Sequence, residues 1–330
     1  MKAQQVVGIG NALVDVIAHT DDAFLSENGV EKGIMQLIDR TRAVELYGHM
    51  GPAREVSGGS AANTIAGLAA LGARTAYVGK VKDDQLGAIF AHDLRAQGAG
   101  YATPLAPRDH PHETGRCMVL VTAEGERSMS TYLGVSEFLA PDDIDDAGMA
   151  DAEWIFLEGY RYDGPDSIAA FEKAVRATKR AGGKVGITLS DPFCVERHRD
   201  EFLRMIRADV DLLLANEHEL KSLYLTDDLA AAMARAAGEI PITVCTIGAG
   251  GAHALVGDGH YHAPVKPVAV VDATGAGDLF AAGFFHGMLS GRDWTTCLRM
   301  GNTAAGEIIG HVGARPEADL QALFAAEGLS

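Results

Sequence analysis

The sequence predicts an α/β fold, a doubly wound and mostly parallel sheet flanked by helices, with a small β-sheet lid. Three observations predict it. Short apolar runs at 154–157, 185–189, 210–214 and 242–246 are separated by helical stretches over 165–181, 194–208 and 216–237, and this alternation implies parallel strands joined by helical crossovers. Strand-like pieces at 100–105, 116–122 and 127–132 have no helix between them, which reads as antiparallel sheet. The length, 330 residues, fits one large α/β domain over 1–330, with lid strands inserted from about 11–20, 32–39, 52–57 and 100–133.

Taken in order, 6–10 reads as a first strand, leading into Asn11-Ala12-Leu13-Val14-Asp15, where two polar residues interrupt a strand-like segment. Asn11 and Asp15 are either a turn residue and an exposed position, or a pair facing a cleft where a carboxylate accepts hydroxyls. Residues 32–39 form a short strand, and Asp39 or Thr41 caps a helix through Tyr47. Gly58-Gly59-Ser60-Ala61-Ala62-Asn63 is a glycine-rich helix start; the helix runs from Ala61 to Leu71 and stops at Gly72. A strand at 75–78 and a helix at 84–97 precede the lid cluster. Such sheets place ligands at the C-terminal ends of their strands, where Asp191, Asn216, Thr246 and Asp272 fall. Helices near 276–289, 293–309 and 316–326 close the chain.

The stretch 268–290 carries the chemistry. Val268 to Val271 reads as a strand, Gly275-Ala276-Gly277-Asp278 as a tight turn, and the rest as a helix. Two glycines flank a small side chain, so nothing blocks approach to the backbone. The first N–H groups of a helix have no partners within it, and with the helix dipole they form an anion site. A carboxylate there repels phosphate, so Asp278 makes sense as the base that takes a proton from an attacking nucleophile. Cradle plus base points to phosphoryl transfer to an alcohol. Taken alone, the same four residues are only a strand-to-helix turn with an acid in the first turn.

Composition narrows the function classes. A formal net charge of −17 argues against nucleic-acid and anionic-membrane partners, yet leaves room for a nucleotide held by a local cradle and Mg²⁺. Four scattered cysteines make no zinc spacing and imply a reduced, cytoplasmic protein. The N-terminus does not read as a signal peptide, and no run reaches the roughly 18 apolar residues of a membrane span. His198-Arg199-Asp200 lacks the other protein-kinase motifs, no P-loop is present, and Ile247 to Gly251 lacks the third glycine of a dinucleotide fingerprint.

These pieces together resemble the ribokinase family, the PfkB carbohydrate kinases. Its two signatures match Gly58 to Asn63 and Asp272 to Asp278, its NxxE motif matches Asn216-Glu217-His218-Glu219, and its T-x-G matches Thr246-Ile247-Gly248, all in family order. The resemblance implies that Asp278 is the base and that Gly275, Ala276 and Gly277 give N–H groups to the γ-phosphate. Arg127 resembles a lid arginine that neutralises the transferring group; read from the residues alone it is equally an exposed hairpin charge. Asn216 and Glu219 are expected to organise Mg²⁺ and phosphate, and Thr246, Gly248, Gly251 and Asn302 to line the ATP pocket. Asn11, Asp15, Gly59, Ser60 and Asn63 are expected to hold the acceptor's sugar hydroxyls. A monovalent cation (K⁺) near Asp272, Thr274 and 310–315 is a further family expectation. Monomer and homodimer both remain open.

Within the family, Gly8-Ile9-Gly10-Asn11-Ala12-Leu13-Val14-Asp15 is similar to the start of adenosine kinases, and Phe193 falls where they carry a phenylalanine near the base. The chain departs from them in Gly159-Tyr160-Arg161-Tyr162, in Gln36 on the lid strand and in Tyr132. Gln36 and Tyr132 are expected at the substrate. The resemblance implies an ATP-dependent kinase acting on the 5′-hydroxyl of a nucleoside, adenosine first. The alternatives are a sugar kinase acting on free ribose or fructose, and a nucleotide-binding regulator without catalysis.

Overall fold

A computed structural model describes residues 2–329. In chain order the elements are β1 (Gln4–Ile9), β2 (Leu13–His19), α1 (Asp22–Glu27), β3 (Met35–Leu37), α2 (Arg40–His49), β4 (Arg54–Gly58), α3 (Ser60–Ala70), β5 (Thr75–Val78), α4 (Gln85–Ala96), β6 (Gly100–Tyr101), β7 (Thr114–Val121), β8 (Arg127–Gly134), α5 (Asp146–Ala150) and β9 (Ala152–Glu158). Then come α6 (Ser167–Arg180), β10 (Lys184–Thr188), α7 (Pro192–Asp209), β11 (Leu212–Asn216), α8 (Glu217–Tyr224), α9 (Leu229–Glu239), β12 (Ile242–Thr246), β13 (Ala252–Val256), β14 (Gly259–Ala263), α10 (Ala276–Leu289), α11 (Trp294–Ile308) and α12 (Leu320–Ala326).

The large sheet has the order β14-β13-β12-β11-β10-β9-β1-β5-β6. Its strands are parallel from β12 through β6, and β13 and β14 add an antiparallel edge. Both faces are covered, as a parallel sheet requires. Along β9, Trp154 and Phe156 pack toward the side of α3 and α10, and Ile155 and Leu157 toward the side of α6 and α7. This is the two-residue period of a strand buried on both faces. β1 pairs with β5 on one side and β9 on the other, so the winding reverses beside β1. Open α/β sheets bind ligands at that reversal.

The small sheet has the order β3-β8-β7-β2-β4. One face, with Met118, Leu120 and Tyr132, packs on Leu25, Ala43 and Leu46 of α1 and α2. The other face, with Leu13, Met129 and Leu133, lines a cavity above the large sheet.

Three expectations are corrected. Gly100 and Tyr101 pair parallel with β5, so this segment extends the large sheet and is not lid. The helix expected over 216–237 is two helices, broken at Leu225, which adopts the left-handed φ of 53°. Val268 to Val271 form no strand: Val270 is 62% exposed, and the Val271 N–H bonds to Ile309 O at the end of α11. β-branched side chains favour a strand only where a neighbour pairs with it, and this run has none among the described residues.

Candidate active site

A cavity of about 570 Å³ lies between the small sheet and the C-terminal ends of the large sheet's strands. Two glycines make it possible. Gly59 has φ +95°, and a Cβ on it would sit 2.2 Å from Asn11 O. Gly275 has φ +73°, and its Cβ would meet Ala314 Cβ at 2.8 Å. Any other residue at either point forces apart the helix start and the chain packed against it.

The two helix starts meet at Asp278. Ser60 Oγ donates to Oδ1 at 2.6 Å, Asn63 Nδ2 donates to Oδ2 at 2.8 Å, and Thr64 Oγ1 donates to the Asp278 carbonyl at 3.1 Å. Burial pushes the carboxyl up to about 6, opposed by the Ser60 and Asn63 hydrogen bonds and by Arg315 and Arg127. A carboxylate tuned to that range can take a proton near neutral pH. The amides of Gly277 and Asp278 have no acceptor within α10. The Ala276 N–H is bonded to Ala273 O at 3.3 Å, which makes the amide cradle narrower than the sequence suggests. A Cβ on Gly277 would meet nothing within 4 Å.

Arg127 leaves β8 to pair with Asp272, which no exposed-charge reading anticipates; its side chain is 9% exposed, and buried Nη1 has no partner. The same Asp272 Oδ1 accepts the Thr274 N–H at 2.9 Å and its hydroxyl at 2.8 Å, and Oδ2 accepts the Gly313 N–H at 2.8 Å. This carboxylate is therefore fully engaged. The residues expected to take K⁺ do not fit a cation while a guanidinium holds their one acid.

On the floor beneath the small sheet, Asn11 and Asp15 line the cavity. Asp15 is pushed up to about 7 by burial, against the pull of Arg315 and Arg127, and accepts no hydrogen bond among the described residues. Glu158, at the end of β9, ties the floor together: Oε1 accepts the Asn11 N–H at 3.1 Å and Oε2 the Ala61 N–H at 2.8 Å. Burial raises it to about 7, opposed by those two amides. Half-buried Arg315 braces the same floor, donating to Ala62 O at 2.8 Å and Ser57 Oγ at 3.0 Å. Above this polar floor stand Leu13, Met35, Leu37, Met129 and Leu133.

On the opposite side, Asn216 and Glu219 form a closed pair at the start of α8. Asn216 N–H and Nδ2 donate to Glu219 at 2.9 and 2.6 Å, and the Glu219 N–H donates back at 2.9 Å. Burial raises Glu219 to about 7. Thr246 and Gly248 line the cavity. No group of three metal-ligating side chains exists among the described residues. A donor set of one amide and one carboxylate suits Mg²⁺ that keeps waters and phosphate oxygens as its other ligands.

Five expected residues are not among those lining the cavity. Gln36 turns its amide to Ser130 Oγ at 3.1 Å, and its neighbours Met35 and Leu37 face the cavity instead. Tyr132 likewise lies on the far face of β8, hydrogen-bonded to His112 at 3.1 Å. Both follow from strand alternation: a misreading by one residue moves a side chain to the other face. Phe193 sits at the first turn of α7 and is 56% exposed. Gly251 makes a positive-φ turn against Ala263 O, and Asn302 Nδ2 holds that same carbonyl at 2.9 Å. Those two support the wall behind Thr246 and Gly248.

Over this geometry, residues 32–320 match the profile described as pfkB family carbohydrate kinase. The chain belongs to this family. It is a PfkB kinase of the sugar and nucleoside class, and such kinases use ATP. Its fold superposes on the crystal structure of adenosine kinase from Sinorhizobium meliloti with a TM-score of 0.93 and 45% identity, over 99% of this chain and 100% of that one. A probable sugar kinase from Rhizobium etli gives a TM-score of 0.95 and 44% identity over 100% of both chains. The ATP-dependent ribose-1-phosphate kinase of Halopiger xanaduensis is 31% identical over 92% of this chain and 98% of its own. No described helix of this PfkB kinase is long and apolar enough to cross a membrane.

Sequence reasoning missed Glu158 and Arg315 in this PfkB site, and it marked Arg161 as a departure without placing it under the floor. Glu158 carried a signal, an acid closing the apolar run at 154–157. The two arginines carried none, because the contacts that tie them to the floor, Arg161 to Asn11 and Arg315 to Ala62, span 150 and 253 positions.

Proposed function

We propose that this PfkB kinase transfers the γ-phosphate of ATP to the 5′-hydroxyl of a nucleoside, with adenosine the foremost acceptor. One observation carries the reading: an apolar wall of Met35, Leu37, Met129 and Leu133 faces the polar floor of Asn11 and Asp15. A flat base against the wall and a ribose on the floor would satisfy both. The likeness to an adenosine kinase at 45% identity supports it.

In this reading Asp278 accepts the proton of the attacking hydroxyl. The Gly277 and Asp278 amides and Arg127 stabilise charge on the transferring phosphoryl group, and Gly275 shapes the turn that presents them. Arg127 has a free Nη1 for that purpose. Asn216 and Glu219 would hold Mg²⁺ through water, and the ion would supply neutralising charge to the phosphate oxygens when bound. Thr246 and Gly248 flank the ATP nucleoside, while Asn11, Asp15, Ser60 and Asn63 orient the acceptor.

The second reading is a sugar kinase, favoured by the ribose-1-phosphate kinase relative. A phosphorylated acceptor needs its own cation. Arg127 is the one lysine or arginine lining the cavity among the described residues. A neutral acceptor suits the floor better.

The test is a coupled assay with Mg-ATP against adenosine, inosine, guanosine, cytidine, ribose, fructose, ribose 1-phosphate and 2-keto-3-deoxygluconate. Saturable turnover with adenosine and none with free sugars supports the nucleoside reading. Turnover only with a sugar or sugar phosphate overturns it.

A further inference from the structure

We propose that Arg161 is a positioning residue for acceptor recognition, locking Asn11 so that its amide nitrogen is what meets the acceptor's hydroxyl. The proposal rests on the reading of Asn11 as an acceptor ligand.

Arg161 is 1% exposed and stands in the turn after β9, beneath the cavity floor. It has no salt bridge among the described residues, which is an expensive way to fill a core. Its guanidinium is spent on neutral acceptors. Nη1 donates to Asn11 Oδ1 at 3.0 Å and to Ser136 O at 2.6 Å, and Nη2 donates to Ser167 Oγ at 2.6 Å and Leu139 O at 3.3 Å. Burial lowers its pKa only to about 10, so it stays charged at neutral pH.

An arginine can only donate. The Asn11 atom facing it must therefore be oxygen. Ser136 agrees: its hydroxyl accepts the Ala12 N–H at 3.1 Å and donates to the same Asn11 Oδ1 at 3.0 Å. Arg161 is the obligate donor of the two, and a flipped amide would set its NH₂ against the guanidinium, while the Ser136 hydroxyl can turn to follow either state. Asn11 Nδ2 is left without a protein partner among the described residues, in a side chain that lines the cavity. Asp15 beside it is an acceptor without a partner. The floor thus offers one donor and one acceptor, a pattern that matches neighbouring hydroxyls on a ribose. Without Arg161 the amide is free to turn and present a second acceptor beside the Asp15 carboxylate.

The experiment is a double-variant cycle of R161L and N11A, reading KM for adenosine, KM for ATP and kcat, with 2′-deoxyadenosine and 3′-deoxyadenosine as probes. R161L should raise the adenosine KM about tenfold, the scale of one charge-assisted hydrogen bond, and leave the ATP KM within about twofold. It should also shrink the preference for adenosine over the deoxy analogue that lacks the hydroxyl at Asn11. In the N11A background R161L should add nothing further. R161K, whose single head cannot span Asn11 and Ser167 together, should give a smaller rise, again silent on N11A, and serves if R161L does not fold. Penalties that multiply in the double variant, or an equal rise in both KM values, would overturn the proposal. If the wild-type enzyme ignores adenosine, the nucleoside reading fails separately, and the same cycle is read with whichever sugar of the panel is turned over.

Discussion

Asn63 Nδ2 donates to Asp278 Oδ2 at 2.8 Å across 215 positions of sequence. The contact joins the first turn of α3 to the first turn of α10. It fixes the orientation of the carboxylate, and with Ser60 on the other oxygen it keeps the ionised form available in a buried site.

Asp278→Asn should keep the fold, because Ser60 and Asn63 can still bond to an amide of the same shape. Removing the base should lower kcat by about 10²–10⁴-fold. Circular dichroism with steady-state kinetics checks both halves. Unchanged turnover would show that Asp278 is not the base.

The pH profile follows from the same group. In the proposed mechanism Asp278 works only when deprotonated, and burial pushes its carboxyl up to about 6. We expect kcat/KM to be flat above about pH 7 and to fall about tenfold per unit well below pH 6, since kcat/KM reports the free enzyme. A profile still flat at pH 5 would contradict this.

Asp15→Asn should separate stability from function. The folded-state pKa of Asp15, about 7, lies above its ordinary 3.8, so the fold prefers the protonated form. That stability is complete below the unfolded pKa and lost as pH rises through about 7. The variant carries no such loss. Its Tm should exceed that of the wild type by about 2 °C or more at pH 8, with the gap closing toward pH 4, while its acceptor KM rises. Scanning calorimetry across pH reads the trend.

Gly275→Ala and Gly277→Ala should fail differently. At Gly275 the positive φ and the Ala314 contact should cost about 1 kcal/mol or more of stability. At Gly277 a methyl enters open space, so Tm should hold while the KM for ATP rises. Equal Tm losses in the two variants would refute the distinction.

Leu37→Asn places a polar group on the apolar wall. The adenosine KM should rise several-fold, the scale of one lost apolar contact, with the ATP KM unchanged. An unchanged adenosine KM would mean that no base stacks there.

Much of this site was legible because glycine leaves a local record. The turns at Gly58-Gly59 and Gly275 to Gly277 announce unusual backbone, and Ser60, Asn63 and Asp278 follow within a few residues. Phase was harder to read. In the three residues of β3 nothing tells which of Met35, Gln36 and Leu37 faces inward until β8 is paired beside them. The β-branched run at 268–271 misled because a strand is a property of two segments, and only one was in view. The roles of Arg161 and Arg315 were hidden for the same reason: each is defined by an acceptor contributed from far along the chain, Asn11 for one and Ala62 for the other.

The central position of β1 has a consequence for biosynthesis. It is made well before its neighbour β9, and Gln4 pairs with Ala152 and Ile9 with Leu157. Until β9 emerges, β1 has only β5 as a neighbour and a bare edge of backbone donors and acceptors. A nascent chain stopped near residue 150 would hold both floor residues, Asn11 and Asp15, with no Glu158 to accept the Asn11 N–H. Such a fragment exposes an unpaired strand edge of the kind that promotes aggregation, and synthesis of β9 covers it.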